Sequence, residues 1–284
     1  MERVVLTTRD NYPLVMHVFR PKSSSNKLLI INSATGVKQQ MYFSFAKFCA
    51  ENGYTVITYD YRGIGLSKPN KMKGFTANMR IWGAVDFESV TEWAMNSYRG
   101  YDKFCLGHSV GALILGMNTQ SSIFKKNIFI ATQKAHVSNL NWKVRLSACL
   151  GFGMAQPLLT HLFNYFPAQY LGLGESLPSG CAFDWRALIL NKESTNYLLK
   201  HTVNVAQNLN QPTLFLYAQD DQWVTMKGMT TLLNDTYPNL KTSFRELKIT
   251  ESPQRKIGHI NFFRSYNQSL WEIPLHWLEE SSSI

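Results

Sequence analysis

Cysteine is scarce in this sequence, and no motif of a metal or disulfide protein is present. Only four cysteines occur among 284 residues, and none belongs to a CxxC pair. This pattern argues against a disulfide framework, a zinc ribbon or a thioredoxin-type site. No cluster of His, Cys and Asp has the spacing of metal ligands, so we expect no metal and no cofactor. Each cysteine is interpreted as a buried thiol in a reducing compartment.

Long apolar runs are also missing. The nearest candidate, residues 146–166, is interrupted by Gln156, Pro157, His161 and Asn164. A membrane-spanning helix needs about 20 predominantly apolar residues, and we interpret this stretch as lid or core material instead. The N-terminus lacks the apolar run of a signal peptide. We therefore expect a cytoplasmic protein without an integral membrane segment.

Acidic residues are outnumbered by basic ones, 19 against 29, and the formal net charge is +10. Such an excess can indicate a nucleic acid, an anionic membrane or an anionic ligand as partner. The sequence has no basic helix, RNP signature or Cys/His finger, so we expect no nucleic-acid partner. The other possibility is an enzyme that simply has a high isoelectric point.

Hydrophobic residues make up 45% of the chain, enough to bury a sizeable core. Short β-rich runs alternate with helical segments, a pattern typical of βαβ units and a doubly wound, mostly parallel sheet. The predicted strands are residues 4–8, 14–20, 28–32, 55–61, 103–107, 127–132, 212–217 and 243–249. Helices are predicted near residues 42–49, 79–96, 110–117 and 226–235, with a last helix ending near 277. The first two strands are expected to form a hairpin.

The alternation lapses at about residues 134–201, which are aromatic-rich and mostly helical. We interpret this segment as a cap inserted into a single domain that spans residues 1–284. The alternative is that its aromatic side chains simply fill the core.

The strongest chemical signal is the sequence Gly107-His108-Ser109-Val110-Gly111. It follows a predicted strand and opens a predicted helix, which is the context of a G-x-S-x-G nucleophile elbow. The turn is so tight that the positions two before and two after the serine must be small. It presents the Ser109 hydroxyl at the carboxyl edge of the sheet, and the Val110 N–H points into the same space, where it can stabilise an oxyanion.

A serine hydroxyl needs a base to take its proton and an acid to orient that base. On such a sheet the expected chain order is Ser, then acid, then His. Asp221 follows the strand predicted at 212–217, and His259 follows the last predicted strand. Asp220 is the alternative acid, and the other histidines are interpreted as structural.

These features resemble the α/β-hydrolases over nearly the whole chain. The segment Asp60-Tyr61-Arg62-Gly63-Ile64-Gly65-Leu66-Ser67 matches a D-x-R-G-x-G-x-S motif common in that superfamily. Shorter motifs, among them Ala34-Thr35-Gly36-Val37 and Gly258-His259, are similar to uncharacterised bacterial predicted α/β-hydrolases of the serine aminopeptidase and monoacylglycerol lipase branch. Asn32-Ser33 replaces the His-Gly pair of the best-known lipases. The second oxyanion donor is then expected to be the Ala34 N–H, with Thr35 as the alternative.

The predicted reaction is cleavage of an ester, thioester or related acyl bond in a small-molecule substrate. Ser109 is the expected nucleophile, His259 the base and Asp221 the orienting acid. An acyltransferase with the same three residues, or a non-catalytic binding protein on this fold, are the alternatives.

Residues 62–85 hold five basic residues and no acidic one. Because they follow a parallel strand, they should lie at the sheet edge that carries Ser109. We expect an electropositive mouth that favours anionic substrates, and the alternative is a solvated loop without a partner.

Overall fold

The computed structural model describes residues 1–280, and an eight-stranded sheet forms its centre. The strands are β1 (Glu2–Thr7), β2 (Pro13–Phe19), β3 (Lys27–Asn32), β4 (Tyr54–Tyr59), β5 (Asp102–His108), β6 (Phe124–Ile130), β7 (Tyr165–Phe166), β8 (Leu177–Pro178), β9 (Pro212–Ala218) and β10 (Lys241–Leu247). Their order across the sheet is β1-β2-β4-β3-β5-β6-β9-β10, while β7 and β8 pair separately. β2 is antiparallel to both neighbours, and all other neighbours in the large sheet are parallel. The predicted mostly parallel sheet and its N-terminal hairpin are confirmed.

The burial pattern of each strand fits its position in the sheet. β4 is buried at every position and β3 and β5 at every position but the first, because helices or neighbouring strands surround the middle of a parallel sheet. β1 lies at the edge of the sheet and alternates between exposed and half-buried residues at its end. For most strands, the bounds predicted from the sequence lie within two residues of the observed bounds. β6 is the exception, because it begins three residues earlier than predicted.

The helices are α1 (Phe43–Glu51), α2 (Met79–Ile81), α3 (Glu88–Ser97), α4 (Val110–Leu113), α5 (Trp142–Leu150), α6 (Gln156–Phe163), α7 (Ser179–Leu190), α8 (Thr195–Leu199), α9 (Met226–Asp235) and α10 (Glu272–Glu279). The helix predicted at 79–96 is interrupted by a π-helical segment, Trp82–Phe87. That segment presents the Trp82 indole to the Arg62 carbonyl at 3.0 Å and the buried Asp86 carboxylate to the Arg62 guanidinium at 2.7 Å. A regular α-helix pattern in the sequence cannot reveal such a contact with a distant loop.

Residues 131–211 join β6 to β9 and contain α5 to α8 and the β7–β8 pair. The aromatic side chains of this insertion divide between interior and surface. Phe166 is part of the main core and Phe152 of a small separate cluster, whereas Trp142 and Tyr170 are exposed. The core-filling alternative therefore holds for only some of these side chains.

The cysteines are all free, as expected, but one expectation about them is wrong. Cys49, Cys105 and Cys181 are buried, whereas Cys149 is exposed. Cys149 lies on α5, whose outer face is uncovered.

The turn between β5 and α4 packs directly against β3. A Cβ added to Gly111 would lie 2.3 Å from the carbonyl oxygen of Asn32, a backbone atom that cannot move aside. We predict that Gly111→Ala lowers the free energy of unfolding by about 1–3 kcal/mol or more. The measurement is thermal or urea unfolding followed by circular dichroism.

Gly153→Ala is the matched control, because nothing lies within 4 Å of the added Cβ. It should leave stability unchanged or raise it by less than about 1 kcal/mol. Equal unfolding midpoints for the two variants would contradict the packing argument.

Candidate active site

Ser109 occupies a strained turn between β5 and α4. Its backbone has φ 53° and ψ −117°, a region that residues with a Cβ rarely adopt. Neighbouring strands hold it there. The Ser109 N–H donates to the Ile130 carbonyl at 2.9 Å, and the Thr132 hydroxyl donates to the Ser109 carbonyl at 2.9 Å. The strain is therefore supported by the sheet, and the half-buried Ser109 side chain is presented at its carboxyl edge.

Asp221 and His259 lie at the same edge, in the loops after β9 and β10. The Asp221 Oδ2 atom is 2.8 Å from His259 Nδ1. The Asp221 side chain is fully buried, and its other oxygen accepts backbone N–H bonds from Trp223 and Val224 at 2.8 and 3.4 Å. The carboxylate thus holds the ring by Nδ1 and leaves Nε2 to face other groups.

Asp220 has a different role from the one considered as the alternative acid. Its two carboxylate oxygens accept the N–H groups of Ile257 and Gly258 at 3.0 and 2.8 Å. Gly258 has φ +52°, a conformation that glycine adopts without strain. Asp220 therefore positions the backbone before His259 and does not contact the ring.

A cavity of about 860 Å³ connects these elements, and Ser109, Val110 and His259 all line it. The Ser109 hydroxyl makes no hydrogen bond to any of residues 1–280, and such bonds often tighten only in the complex with substrate. Other lining side chains are mostly apolar and include Leu113, Trp185, Leu188, Ile189 and Val224. Across residues 1–280, no group of three or more His, Cys, Asp or Glu side chains is arranged to hold a metal.

The structure changes the predicted oxyanion donors in one respect. The Ala34 N–H, the expected second donor, already donates to the Tyr42 hydroxyl at 2.9 Å in this structure, which favours the alternative, Thr35. Thr35 follows it in the same loop and lines the cavity. Val110 begins α4, where the first N–H groups have no intrahelical acceptor. Val110 and Thr35 are therefore the candidate pair.

His108 links three loops of the site, a role that the sequence did not reveal. Its Nε2 lies 2.8 Å from the His259 carbonyl, and its Nδ1 lies 2.8 Å from the Tyr42 hydroxyl. Complete burial lowers the pKa of His108 to about 3, so the ring is neutral and carries one N–H. A carbonyl can only accept, so Nε2 donates, and Tyr42 donates to Nδ1 while accepting from Ala34. Tyr42 lies 66 residues from His108, and no sequence signal connects them.

The basic stretch at residues 62–85 is less positive than its composition predicted. Arg62 pairs with Asp10 and Asp86, Lys68 with Glu175, and Arg80 with Asp184. Asp86 directly follows this stretch, whereas Asp10, Glu175 and Asp184 come from distant parts of the chain, so the charge pattern within residues 62–85 could not reveal these ion pairs. Within the part of the chain that the structure describes, Lys71 and Lys73 have no ion pair. The expectation of an anionic substrate now depends on these two lysines.

The segment at residues 60–67, which matches the D-x-R-G-x-G-x-S motif, has structural contacts. Asp60 accepts the backbone N–H groups of Gln39 and Leu66 at 2.8 and 2.9 Å. Ser67 Oγ accepts the Val15 N–H at 2.9 Å. These bonds hold the loop after β4 against β2, and neither Asp60 nor Ser67 lines the cavity.

Comparison with known proteins agrees with this architecture. The sequence model of the family described as serine aminopeptidase, S33 matches residues 23–133. That range includes Ser109 but ends before Asp221 and His259. No curated protein sequence matches the chain.

Solved structures match over almost the full length. An esterase from Exiguobacterium antarcticum has a TM-score of 0.62 at 14% identity, covering 98% of this chain and 100% of its own. A soluble variant of monoglyceride lipase from Saccharomyces cerevisiae has a TM-score of 0.68 at 16% identity, covering 98% and 95%. The Pyrococcus furiosus esterase Pf2001 has a TM-score of 0.61 at 14% identity, covering 98% and 90%.

The chain has the α/β-hydrolase fold. The fold predicted from the sequence is confirmed. The match of residues 23–133 to the serine aminopeptidase family agrees with the predicted class, an esterase- or lipase-like hydrolase. In an α/β-hydrolase the chain order Ser, acid, His is the expected one, and Ser109, Asp221 and His259 follow it here.

We predict that Tyr42→Phe weakens the site. The change leaves the buried His108 Nδ1 and the Ala34 N–H without partners, which should cost about 1–3 kcal/mol of folding stability. It should also slow the reaction of Ser109 with a fluorophosphonate probe, because two of the loops around it lose their common anchor.

Tyr237→Phe is the matched control. The Tyr237 hydroxyl is equally buried, accepts the Gly116 N–H at 3.0 Å and donates to the Ala112 carbonyl at 3.0 Å, near the C-terminal end of α4. It should lower the unfolding midpoint but leave the labelling rate near that of the wild type. An equal fall in labelling rate for both variants would show that Tyr42 acts through stability alone.

Proposed function

We propose that this α/β-hydrolase cleaves an ester, thioester or related acyl bond through an acyl-enzyme on Ser109. The observation that carries the proposal is the 2.8 Å contact between Asp221 and His259, made at the edge of a cavity that the strained Ser109 also lines. A binding protein has no need of a strained serine beside an oriented histidine.

Each step follows from the groups at the site. His259 Nε2 takes the Ser109 proton as Oγ attacks the substrate carbonyl carbon, and Asp221 stabilises the imidazolium that forms. The Val110 and Thr35 N–H groups stabilise the oxyanion of the tetrahedral intermediate. His259 then gives the proton to the leaving group, and a water molecule activated by the same ring hydrolyses the acyl-enzyme.

The cavity supports an apolar acyl or aryl group in the substrate. Its volume of about 860 Å³ lies within the usual range for small-molecule sites, which bury most of their ligand against apolar side chains. Leu113, Trp185 and Ile189 provide such a surface. p-Nitrophenyl esters of rising chain length are the appropriate first substrates, and an acyltransferase would be recognised by faster product formation when alcohols or thiols are added.

The nucleophile is tested by covalent labelling. We predict that a fluorophosphonate probe labels Ser109, as identified by mass spectrometry, and that Ser109→Ala and His259→Ala both abolish labelling. Ser265→Ala is the control, because Ser265 also lines the cavity but has no role in the proposal. Labelling that persists in Ser109→Ala would overturn the assignment.

The two neighbouring aspartates should separate catalysis from loop support. Asp221→Asn disturbs the tautomer and charge of His259, and we predict a fall in kcat of roughly 10⁴-fold, as in serine proteases. In Asp220→Asn, an NH₂ group replaces one of the two carboxylate oxygens that accept the Ile257 and Gly258 N–H groups. It should lower the unfolding midpoint and reduce kcat far less. A larger loss of kcat in Asp220→Asn would reverse the two roles.

A further inference from the structure

The insertion carries a long helix that is mostly uncovered. α5, the π-helical segment Gly151–Ala155 and α6 form one continuous helix, Trp142–Phe163, of 22 residues. At 1.5 Å per residue its length is about 33 Å. By length and composition it could cross a membrane: an 18-residue stretch of it has a mean hydropathy of 1.2, yet only 22% of that stretch is buried.

Six large apolar side chains recur at every fourth position along this helix, and each is 59–73% exposed. They form what we call the apolar stripe: Trp142, Leu146, Leu150, Met154, Leu158 and Leu162. A spacing of four exceeds the 3.6 residues of an α-helical turn, so such a row would drift around a regular helix. The π-helical segment in the middle has wider turns and reduces that drift. The stripe is therefore kept towards one side of the helix.

The exposed apolar surface continues towards the cavity. After the helix, Tyr170, Leu171 and Leu173 are 44–76% exposed. Leu173 also lines the cavity that contains Ser109. An apolar surface of this extent is unusual on a protein that has no partner for it.

The opposite side of the helix packs against the rest of the protein. Ala148 and Phe152 are buried in a cluster with Ile189 of α7, and the Arg186 side chain donates to the Phe152 carbonyl at 2.9 Å. Gln156 and Thr160 are also buried. A helix held in this way lies along a surface and does not span a bilayer, where all its sides would meet lipid.

The charges of the residues around the apolar stripe indicate the kind of partner that would cover it. No acidic residue occurs from residue 134 to residue 174. Lys143 and Arg145 lie at the start of the helix and are exposed, and no ion pair to either is found within residues 1–280. The Lys143 ammonium lies 5.5 Å from the Trp142 ring. Basic groups beside an apolar face with an aromatic side chain at its end are typical of helices that lie in the interface of an anionic membrane.

We propose that the apolar stripe docks this protein on the surface of an anionic phospholipid membrane, with the helix in the plane of the interface. The alternative occupant is a second copy of the chain. Two copies joined through this face would bring their lysines and arginines together with no acidic group in either segment to pair with them, which opposes association. The docking does not depend on the chemistry at Ser109.

The first experiment is vesicle flotation with the full-length protein. We expect binding to vesicles of phosphatidylcholine with phosphatidylglycerol, weaker binding to phosphatidylcholine alone, and a fall in binding as salt rises. Leu146→Glu with Leu158→Glu should weaken the partition by at least about 100-fold, because two inserted leucines are lost. Lys143→Gln with Arg145→Gln should weaken binding only to the anionic vesicles.

Val5→Glu with Val203→Glu is the matched control. Both residues are exposed and lie outside the insertion helix, and the change in net charge is the same. This variant should bind as the wild type does, and circular dichroism should show that every variant is folded. A short soluble p-nitrophenyl ester measures the active site separately, so failure of the proposed reaction and failure of docking give different results.

Cys149 offers a direct probe of orientation, because it is the exposed cysteine on this helix while the other three are buried. An environment-sensitive fluorophore on Cys149 should shift to shorter wavelength when anionic vesicles are added. Cys149→Ser is the labelling control. Absence of vesicle binding, equal binding by the Leu146→Glu/Leu158→Glu variant, or a stable dimer that this variant dissociates would each overturn the proposal.

Discussion

The strained backbone of Ser109 is the constraint on which the rest of the site depends. A positive φ at a residue with a side chain costs about 1–3 kcal/mol, and it persists because β5, β6 and α4 leave the turn no alternative. The Ser109 N–H bonds β6, and Gly111 touches the backbone of β3. Contacts with the sheet thus offset the cost of the strained turn and keep the hydroxyl at the carboxyl edge. A change that loosens these contacts would let the turn relax.

A second constraint joins the loops that contribute the other groups. The hydrogen bonds run in one direction, from the Ala34 N–H to Tyr42, from Tyr42 to His108, and from His108 to the His259 carbonyl. Because His108 is buried and neutral, this direction cannot reverse. These bonds therefore fix the relative positions of three segments: the loop with Ala34 and Thr35, the turn at Ser109 and the loop with His259. Asp220 also supports the His259 loop through the Ile257 and Gly258 N–H groups.

The two sides of the insertion, residues 131–211, have different surroundings. Its inner side provides Trp185 and Ile189 to the cavity, and its outer side exposes the stripe from Trp142 to Leu162. One segment of chain thus lies between the cavity and the apolar stripe that we propose docks on a membrane. This arrangement explains why polar residues interrupt the apolar run that we interpret from the sequence as lid or core material. Gln156 and Thr160 face the protein together with Ala148 and Phe152, and the large apolar side chains of the stripe face out.

The sequence by itself determined the strands, the elbow around Ser109 and the chain order of Asp221 and His259, because these depend on local patterns that parallel sheets require. It could not determine what depends on contacts between distant segments. The Tyr42 hydroxyl takes up the Ala34 N–H, and acidic side chains from elsewhere in the chain neutralise Arg62, Lys68 and Arg80. Only tertiary structure decides which N–H remains free and which charge remains unpaired, since each is set by whatever group the fold brings opposite it.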